Sequence, residues 1–271
     1  MIYRVHIPGP PLSWFVENLW FYEGLCPDYR MDRLVPDGAI EFIVDLTDTP
    51  KHVYDESFRP VRTYRYSWIS GQHTQPILIE AAQNSSMIGL RFRPGGAYPF
   101  FNFPISELND SVTDLDAVLG QSIHQIRERL LDVSTPELKF SILEGFLQER
   151  CRNGFEPDRA VHFILDRLVT CPDHAMIRSL AEKTGLSQRQ VLRRFNDRVG
   201  LQPKTMARIL RFQKVLQRVQ RAKSVSWSFI ANECGYFDQA HFIRDFHSLS
   251  GMNPSQYLAG KGEYMNFIPI P

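Results

Sequence analysis

Over the first hundred residues the apolar positions come in short runs separated by turn formers. Leu19–Tyr22, Arg33–Val35, Ile40–Val44, Tyr64–Ile69, Pro76–Ile79 and Met87–Arg93 are rich in aromatic and β-branched residues. Pro36-Asp37-Gly38, Thr47–Pro50 and Ser70-Gly71 punctuate them, after an extended entry at Pro8, Pro10 and Pro11. Short strands in succession predict a β-rich domain, a sandwich or a small barrel. The period then lengthens. Leu115, Val118, Leu119, Ile123, Ile126 and Leu130 fall at helical spacing, and Leu138, Ile142, Leu143, Phe146 and Leu147 repeat it after Pro136. Two amphipathic helices joined around residues 132–136 are expected. Their apolar faces either cover the strands or meet a second copy of the chain.

From residue 155 onward the pattern is helical throughout. Asp158 can cap a helix running to about Thr170, with Val161, Ile164, Leu165 and Leu168 inward and Cys171-Pro172-Asp173 at its end. Residues 177–199 read as two short helices broken at Thr184-Gly185-Leu186-Ser187. Leu180 and Ala181 face inward before the break. Ser187 is a good N-cap after it, and Val191 and Phe195 follow at i and i+4. Residues 204–218 have no breaker, with Met206, Ile209, Leu210, Phe212, Val215 and Leu216 inward and Arg208, Arg211, Lys214 and Arg218 outward. The two-helix unit then recurs. Residues 226–234 form its first helix, with Phe229, Ile230 and Ala231 inward, and Gly235-Tyr236-Phe237 is the break. Residues 238–247 form its second, with Phe242 and Phe246 buried. The fold class expected is α+β. A β-rich domain, cupin-like or a sandwich, with two following helices occupies residues 1–150. An all-α domain of two helix-turn-helix units joined by a linker helix spans 155–260, and 261–271 are a tail.

Charge sharpens this division. The chain is nearly neutral, with a net charge of +1, but residues 157–271 hold 17 Lys and Arg against 9 Asp and Glu, a net of +8. Residues 1–156 carry the balancing −7. An acidic half joined to a basic half directs a polyanion to the C-terminal half. Two basic, amide-rich helices behind tight turns have the chemistry that major-groove reading requires. A stiff connecting helix suits two groove segments about 34 Å apart, one turn of DNA.

Candidate chemistry elsewhere is sparse. Cys26, Cys151, Cys171 and Cys234 are scattered, with no Cys-x-x-Cys pair, which points to a reducing cytoplasm rather than a disulfide framework or zinc knuckle. No signal-peptide core opens the chain and no uncharged run of eighteen apolar residues spans a membrane. His6, His52, His73 and His124 lack metal-ligand spacing, and no Gly-x-Ser-x-Gly or phosphate-binding loop is present. No enzyme activity, metal or cofactor is expected. Arg91–Gly96 reads as a turn or as an anion-binding loop. Trp14, Trp20, Phe42, Tyr64, Tyr66 and Trp68 either fill the core or line a ligand cavity.

Residues 157–259 resemble the DNA-binding domain of the AraC/XylS transcription regulators, through Leu180–Ser187 with Arg193–Phe195, through Ile230–Phe246, and through Ser250–Tyr257. The N-terminal half resembles the sensor-like domain of one group of these proteins, through Leu34–Gly38, Ser67–Gly71 and Gly89–Ala97. It lacks the histidines of a metal-binding cupin. The resemblance implies base reading by Gln188, Arg189, Leu192 and Arg193 on the first recognition helix, with Leu192 either on a thymine methyl or in the core. It implies the same for Gln239, His241 and Arg244 on the second, with His241 and Arg244 either on bases or on phosphates. It places phosphate contacts at Ser187, Arg198 and Lys204. Arg194 falls where the family is usually apolar. The partners expected are double-stranded DNA, a small-molecule effector on the N-terminal domain, RNA polymerase and a second copy of the chain, and not a membrane. The competing expectation is a DNA-binding module fused to an enzymatic or protein-interaction domain.

Overall fold

The computed structural model describes residues 1–81, 83–151, 154–170, 177–222 and 224–270. Cys171-Pro172-Asp173, expected to end a helix, lie outside the described residues.

The N-terminal half is built on two antiparallel sheets. The first contains β1 (Ile2–His6), β2 (Val16–Leu25), β4 (Ile40–Asp45), β7 (Ser67–Ser70), β9 (Ser85–Phe92) and β10 (Val112–Asp114), in the order β1-β2-β9-β4-β7-β10. The second contains β3 (Met31–Leu34), β5 (Lys51–Tyr54), β6 (Pro60–Tyr64), β8 (Ile77–Glu80) and β11 (Phe267–Ile270), in the order β11-β3-β8-β5-β6. Side chains alternate between the two faces of a strand, so a strand buried on both sides needs apolar residues at every position. Strand β4 meets that need at four of its six positions, Glu41 and Asp45 being the exceptions. Ile40, Phe42 and Val44 join one core, while Ile43 joins another. The second core lies between the sheets, where Tyr64 and Val53 of one pack with Trp68, Met87 and Val112 of the other.

Helices α1 (Leu115–Leu119), α2 (Ser122–Leu131) and α3 (Pro136–Arg150) follow the strands. The first of the two expected helices is thus broken, at Gly120, which has a positive φ. Ile123, Ile126 and Leu130 of α2 and Phe140, Leu143, Phe146 and Leu147 of α3 are buried against the outer face of the first sheet. Leu131 and Leu138 remain exposed. The Lys139 ammonium is buried at the end of α2, donating to the carbonyls of Leu130 and Val133.

The aromatic set expected to fill the core or line a cavity is dispersed. Phe42 lies in the helix-covered core, Tyr64, Trp68 and Trp20 lie between the sheets, and Trp14 and Tyr66 are exposed. The run Tyr64–Ile69 is not one strand. Tyr66 adopts a left-handed φ of 67° and the chain crosses there from the second sheet to the first. Arg91–Gly96 is no anion loop. The Arg91 guanidinium is held by Asp37 at 2.6 Å, Glu41 at 2.9 Å and Glu17 at 3.1 Å, and Arg93 donates to the Ser13 carbonyl.

The C-terminal half is helical: α4 (Arg159–Thr170), α5 (Ile177–Thr184), α6 (Gln188–Val199), α7 (Pro203–Arg221), α8 (Trp227–Glu233), α9 (Gln239–Ser250) and α10 (Pro254–Gly260). The stretch beyond residue 260 is no appendage. Strand β11 pairs antiparallel with β3, Ile268 opposite Arg33, and so completes the N-terminal sheet from the far end of the chain.

The two halves share a packed seam. Val35 and Ile268 are buried in the same core as Phe195, Met206, Ile209 and Phe212. Gln213 of α7 donates to the Pro36 carbonyl at 2.7 Å and to Asn266 at 3.0 Å. Asn266 in turn donates to Asp37, which holds Arg91. Gly95 (φ 70°) lies against Leu165 and Val199, and Gly200, at the end of α6, accepts a hydrogen bond from Asn109.

Gly200 has a φ of 102°, and a Cβ there would sit 2.8 Å from Gln72 Oε1 and 2.9 Å from Asn109 Oδ1. Gly200→Ala is therefore expected to destabilise the protein by roughly 1–3 kcal/mol, read as a lower urea midpoint. A second prediction concerns Asp32, buried on β3 beside Tyr29, whose carboxyl burial pushes up to about 6. The unfolded chain titrates this residue near ~3.9, so the folded state binds the proton more tightly. That contribution is present below pH of about 4 and lost as pH rises through about 6. Asp32→Asn should melt higher than the parent at pH 7, and the difference should vanish below pH of about 4.

Candidate nucleic-acid interface

Helices α5 and α6 form the first two-helix unit. Ser187 N-caps α6, accepting from the Gln190 amide N–H, while the Gln190 side chain accepts from the Ser187 N–H at 2.9 Å. This reciprocal pair satisfies donors that the first turn would otherwise leave open. Val191, Phe195 and Val199 are buried, which turns Gln188, Arg189, Arg193 and Arg194 outward into solvent. Leu192 is half-buried.

Asp158 anchors this unit from the side. One carboxylate oxygen caps α4, accepting from the N–H groups of Ala160 and Val161. The other lies 3.0 Å from Arg198 Nε and 3.8 Å from Arg194. The Arg198 guanidinium also lies over the Tyr98 ring at 4.7 Å, and the Tyr98 hydroxyl donates to the Glu156 carbonyl. Arg198, expected at a phosphate, is thus committed to a contact between the N-terminal domain and α6. Ser187 is engaged in its capping box. Lys204 stands exposed in the first turn of α7.

Helix α7 carries 19 residues, about 28 Å at the usual rise. Three of its outward basic residues are occupied. Arg208 pairs with buried Asp245 of α9, Arg211 lies over the Tyr236 ring, and Arg218 is 3.7 Å from Glu233 of α8. Burial and the neighbouring Asp245 both push the Tyr236 hydroxyl well above its ordinary range, and it donates to Asp245 at 3.3 Å. These contacts fix the second unit to α7 as Asp158 fixes the first to α4.

In the second unit, Asp238 N-caps α9 through the His241 N–H. Phe242 and Phe246 are fully buried and stack with Trp227, Tyr236, Phe212 and Tyr257. Gln239 and Arg244 are exposed, whereas the His241 ring is half-buried with its edge against Tyr236. Phe229, expected inside, is 62% exposed. Trp227, Ile230, Ala231 and Cys234 occupy the inner face at helical spacing, and Phe229 falls off it. Sequence reasoning also passed over Ala240, Ile243 and His247, all exposed on α9. Their spacing to the buried phenylalanines was the available signal.

Among the described residues no three His, Cys, Asp or Glu side chains gather as a metal site, and no helix is long and apolar enough to cross a membrane. Among the described residues Cys26, Cys151 and Cys234 form no disulfide, and Cys171 lies outside those residues.

Comparison with known proteins separates the same two halves. Residues 180–260 match a family model described as a helix-turn-helix domain, and residues 4–114 match one described as a domain of unknown function, DUF6597. No curated protein sequence matches the chain. Among solved structures, ToxT from Vibrio cholerae is similar over 96% of this chain and 98% of its own, at 11% identity and a TM-score of 0.47. The C-terminal domain of AraT from Geobacillus stearothermophilus covers 40% of this chain and 91% of its own, at 20% identity and a TM-score of 0.36. An AraC-type transcriptional regulator from Chromobacterium violaceum covers 38% and 93%, at 20% identity and a TM-score of 0.35. With the paired, capped helix units between residues 177 and 250, the match over residues 180–260 makes the C-terminal half of this chain the helix-turn-helix, DNA-binding part of a transcription regulator.

Proposed function

We propose that the chain recognises its DNA through two separate major-groove contacts, and that the N-terminal domain governs the first of them from behind. The observation that carries this is the shared construction of α6 and α9. Each has a side-chain N-cap, a buried aromatic pair or its equivalent at i and i+4, and an exposed opposite face, and α7 joins them rigidly. Arg189 and Arg193, flanked by Gln188 and Leu192, are the base readers of the first contact. Arginine can fork onto guanine O6 and N7. Gln239 and Arg244 read the second, with His241 held at its edge by Tyr236. Lys204 supplies a phosphate contact at the start of α7, and Ser187 presents the N-terminus of α6. Arg198 serves the junction with Asp158 and Tyr98 instead.

Governance from the N-terminal domain follows from where it docks. Asn109, Gln72 and Tyr98 all touch the C-terminal end of α6 or the loop behind it. A signal that shifts those loops shifts a reading helix. The functional units are residues 1–150 as regulatory domain and 155–260 as reader, with residues 261–271 returning to the former through β11. The roles that accompany this reading are a small-molecule effector on the N-terminal domain, contact with RNA polymerase, pairing with a second copy of the chain, and a cytoplasmic, non-catalytic setting.

The test is selection of duplexes from a random pool by the full-length protein, followed by a salt titration on the enriched sequence. A defined site with affinity falling steeply with ionic strength is expected, and failure to enrich any sequence overturns the reading. On that site Arg193→Ala should weaken binding by about 1–3 kcal/mol and relax preference at one position. Lys204→Ala should weaken selected and random duplexes alike, with the salt slope reduced by about one. Arg198→Gln should lower the melting temperature and leave that slope unchanged, because its charge is already paired with Asp158.

A further inference from the structure

The outer face of the second recognition helix carries apolar side chains on either side of His247. At about 100° per residue, the exposed residues of α9 fall around the helix in the order Gln239, Ile243, His247, Ala240, Arg244, Ser248. Gln239 and Arg244, two of the three polar readers expected from sequence, therefore flank a strip that holds Ile243, His247 and Ala240. Phe237 stands at the N-terminal end of the same face, 93% exposed. Leu192 of the first unit corresponds to Ile243 and is likewise apolar, but the other two positions differ. Arg189 stands where α9 has Ala240, and Leu186, preceding the N-cap, is packed against the core that holds Val191.

Folding does not account for Phe237. A residue preceding an N-cap commonly packs on the fourth residue of the helix, here Phe242. That ring is already covered by Trp227 and Tyr236. Phe237 is left in water between buried Tyr236 and the cap Asp238, at the end of the helix that enters the groove first. A large apolar side chain held there is continuous with the DNA-binding surface and flanked by Gln239 and Arg244, which suit bases and phosphates.

We propose that Phe237, Ala240 and Ile243 read the 5-methyl groups of thymines, so that the second half of the binding site is chosen by apolar contact and the first half by arginine. The major groove displays one apolar group, the thymine methyl, and it distinguishes T·A from every other pair there. The inference rests on the two-contact reading above and deepens it.

The experiment uses the full-length protein and the duplex it enriches from a random pool, with thymines replaced one at a time by deoxyuridine. This removes a methyl and leaves every hydrogen-bonding group in place. Two or three thymines in the half of the site farther from the Arg193-dependent position should each lose about fourfold in affinity, the worth of one buried CH2-sized group. Ile243→Ser and Phe237→Ser are exposed-site changes, and their melting temperatures confirm the fold. Each should reproduce the loss on the thymine duplex and abolish the response to deoxyuridine at one position. A protein that enriches a site yet binds its deoxyuridine form with undiminished affinity overturns this inference alone, and would assign the strip to a protein partner. A protein that enriches no site overturns the two-contact reading, and this inference falls with it.

Discussion

The constraint on which the molecule depends is that the helical half cannot close its own core. Val35 from the turn after β3 and Ile268 from β11 are buried among Phe195, Met206, Ile209 and Phe212. Removing them would expose the underside of α7 and the end of α6. Polar contacts in the seam then fix its register: Gln213 on the Pro36 carbonyl, Asn266 on Asp37, and Asn109 on Gly200. Gly200 and Gly95 admit backbone where a side chain would hold the halves apart. Regulator and reader therefore share one interior, and a conformational change in either is felt as a packing change in the other.

This seam gives a structural meaning to segments that looked unrelated along the chain. Leu34–Gly38, the residues after Ser67–Gly71, and Arg91–Ala97 all converge on it. Val35 enters the helical core, Gln72 and Gly200 meet, and Gly95 lies on Leu165 and Val199. Arg91 draws Asp37, Glu41 and Glu17 together and so holds the first of these segments in place. Burial raises the Glu41 carboxyl despite the adjacent guanidinium.

The helical units were legible because local signals suffice for them. The Ser187 cap, the i, i+4 pair Val191 and Phe195, and the Asp158 cap of α4 are each contained within a few residues. The period also contained the placement of Phe229, since Trp227, Ile230, Ala231 and Cys234 define the inner face without it. The sheets were legible only in part. Strands β1 and β6 are almost wholly exposed and carry little alternation to read, and β11 finds its partner more than two hundred residues upstream. The committed state of Arg198 was hidden for a different reason. Its role depends on Tyr98 and Asp158, which no short motif links to it.

The pairing of β11 with β3 has a consequence for how the polypeptide reaches this state. Strand β3 is made early, yet its outer edge stays unpaired until residues 267–270 have been synthesised and have passed the whole reader domain. An open edge is a template for unwanted pairing, and a contact of such long sequence separation is slow to form. The reader is thereby tied to the regulatory domain at both ends. It cannot swing away without peeling a strand from a sheet. Cutting the backbone between α4 and α6 should leave two pieces that stay together.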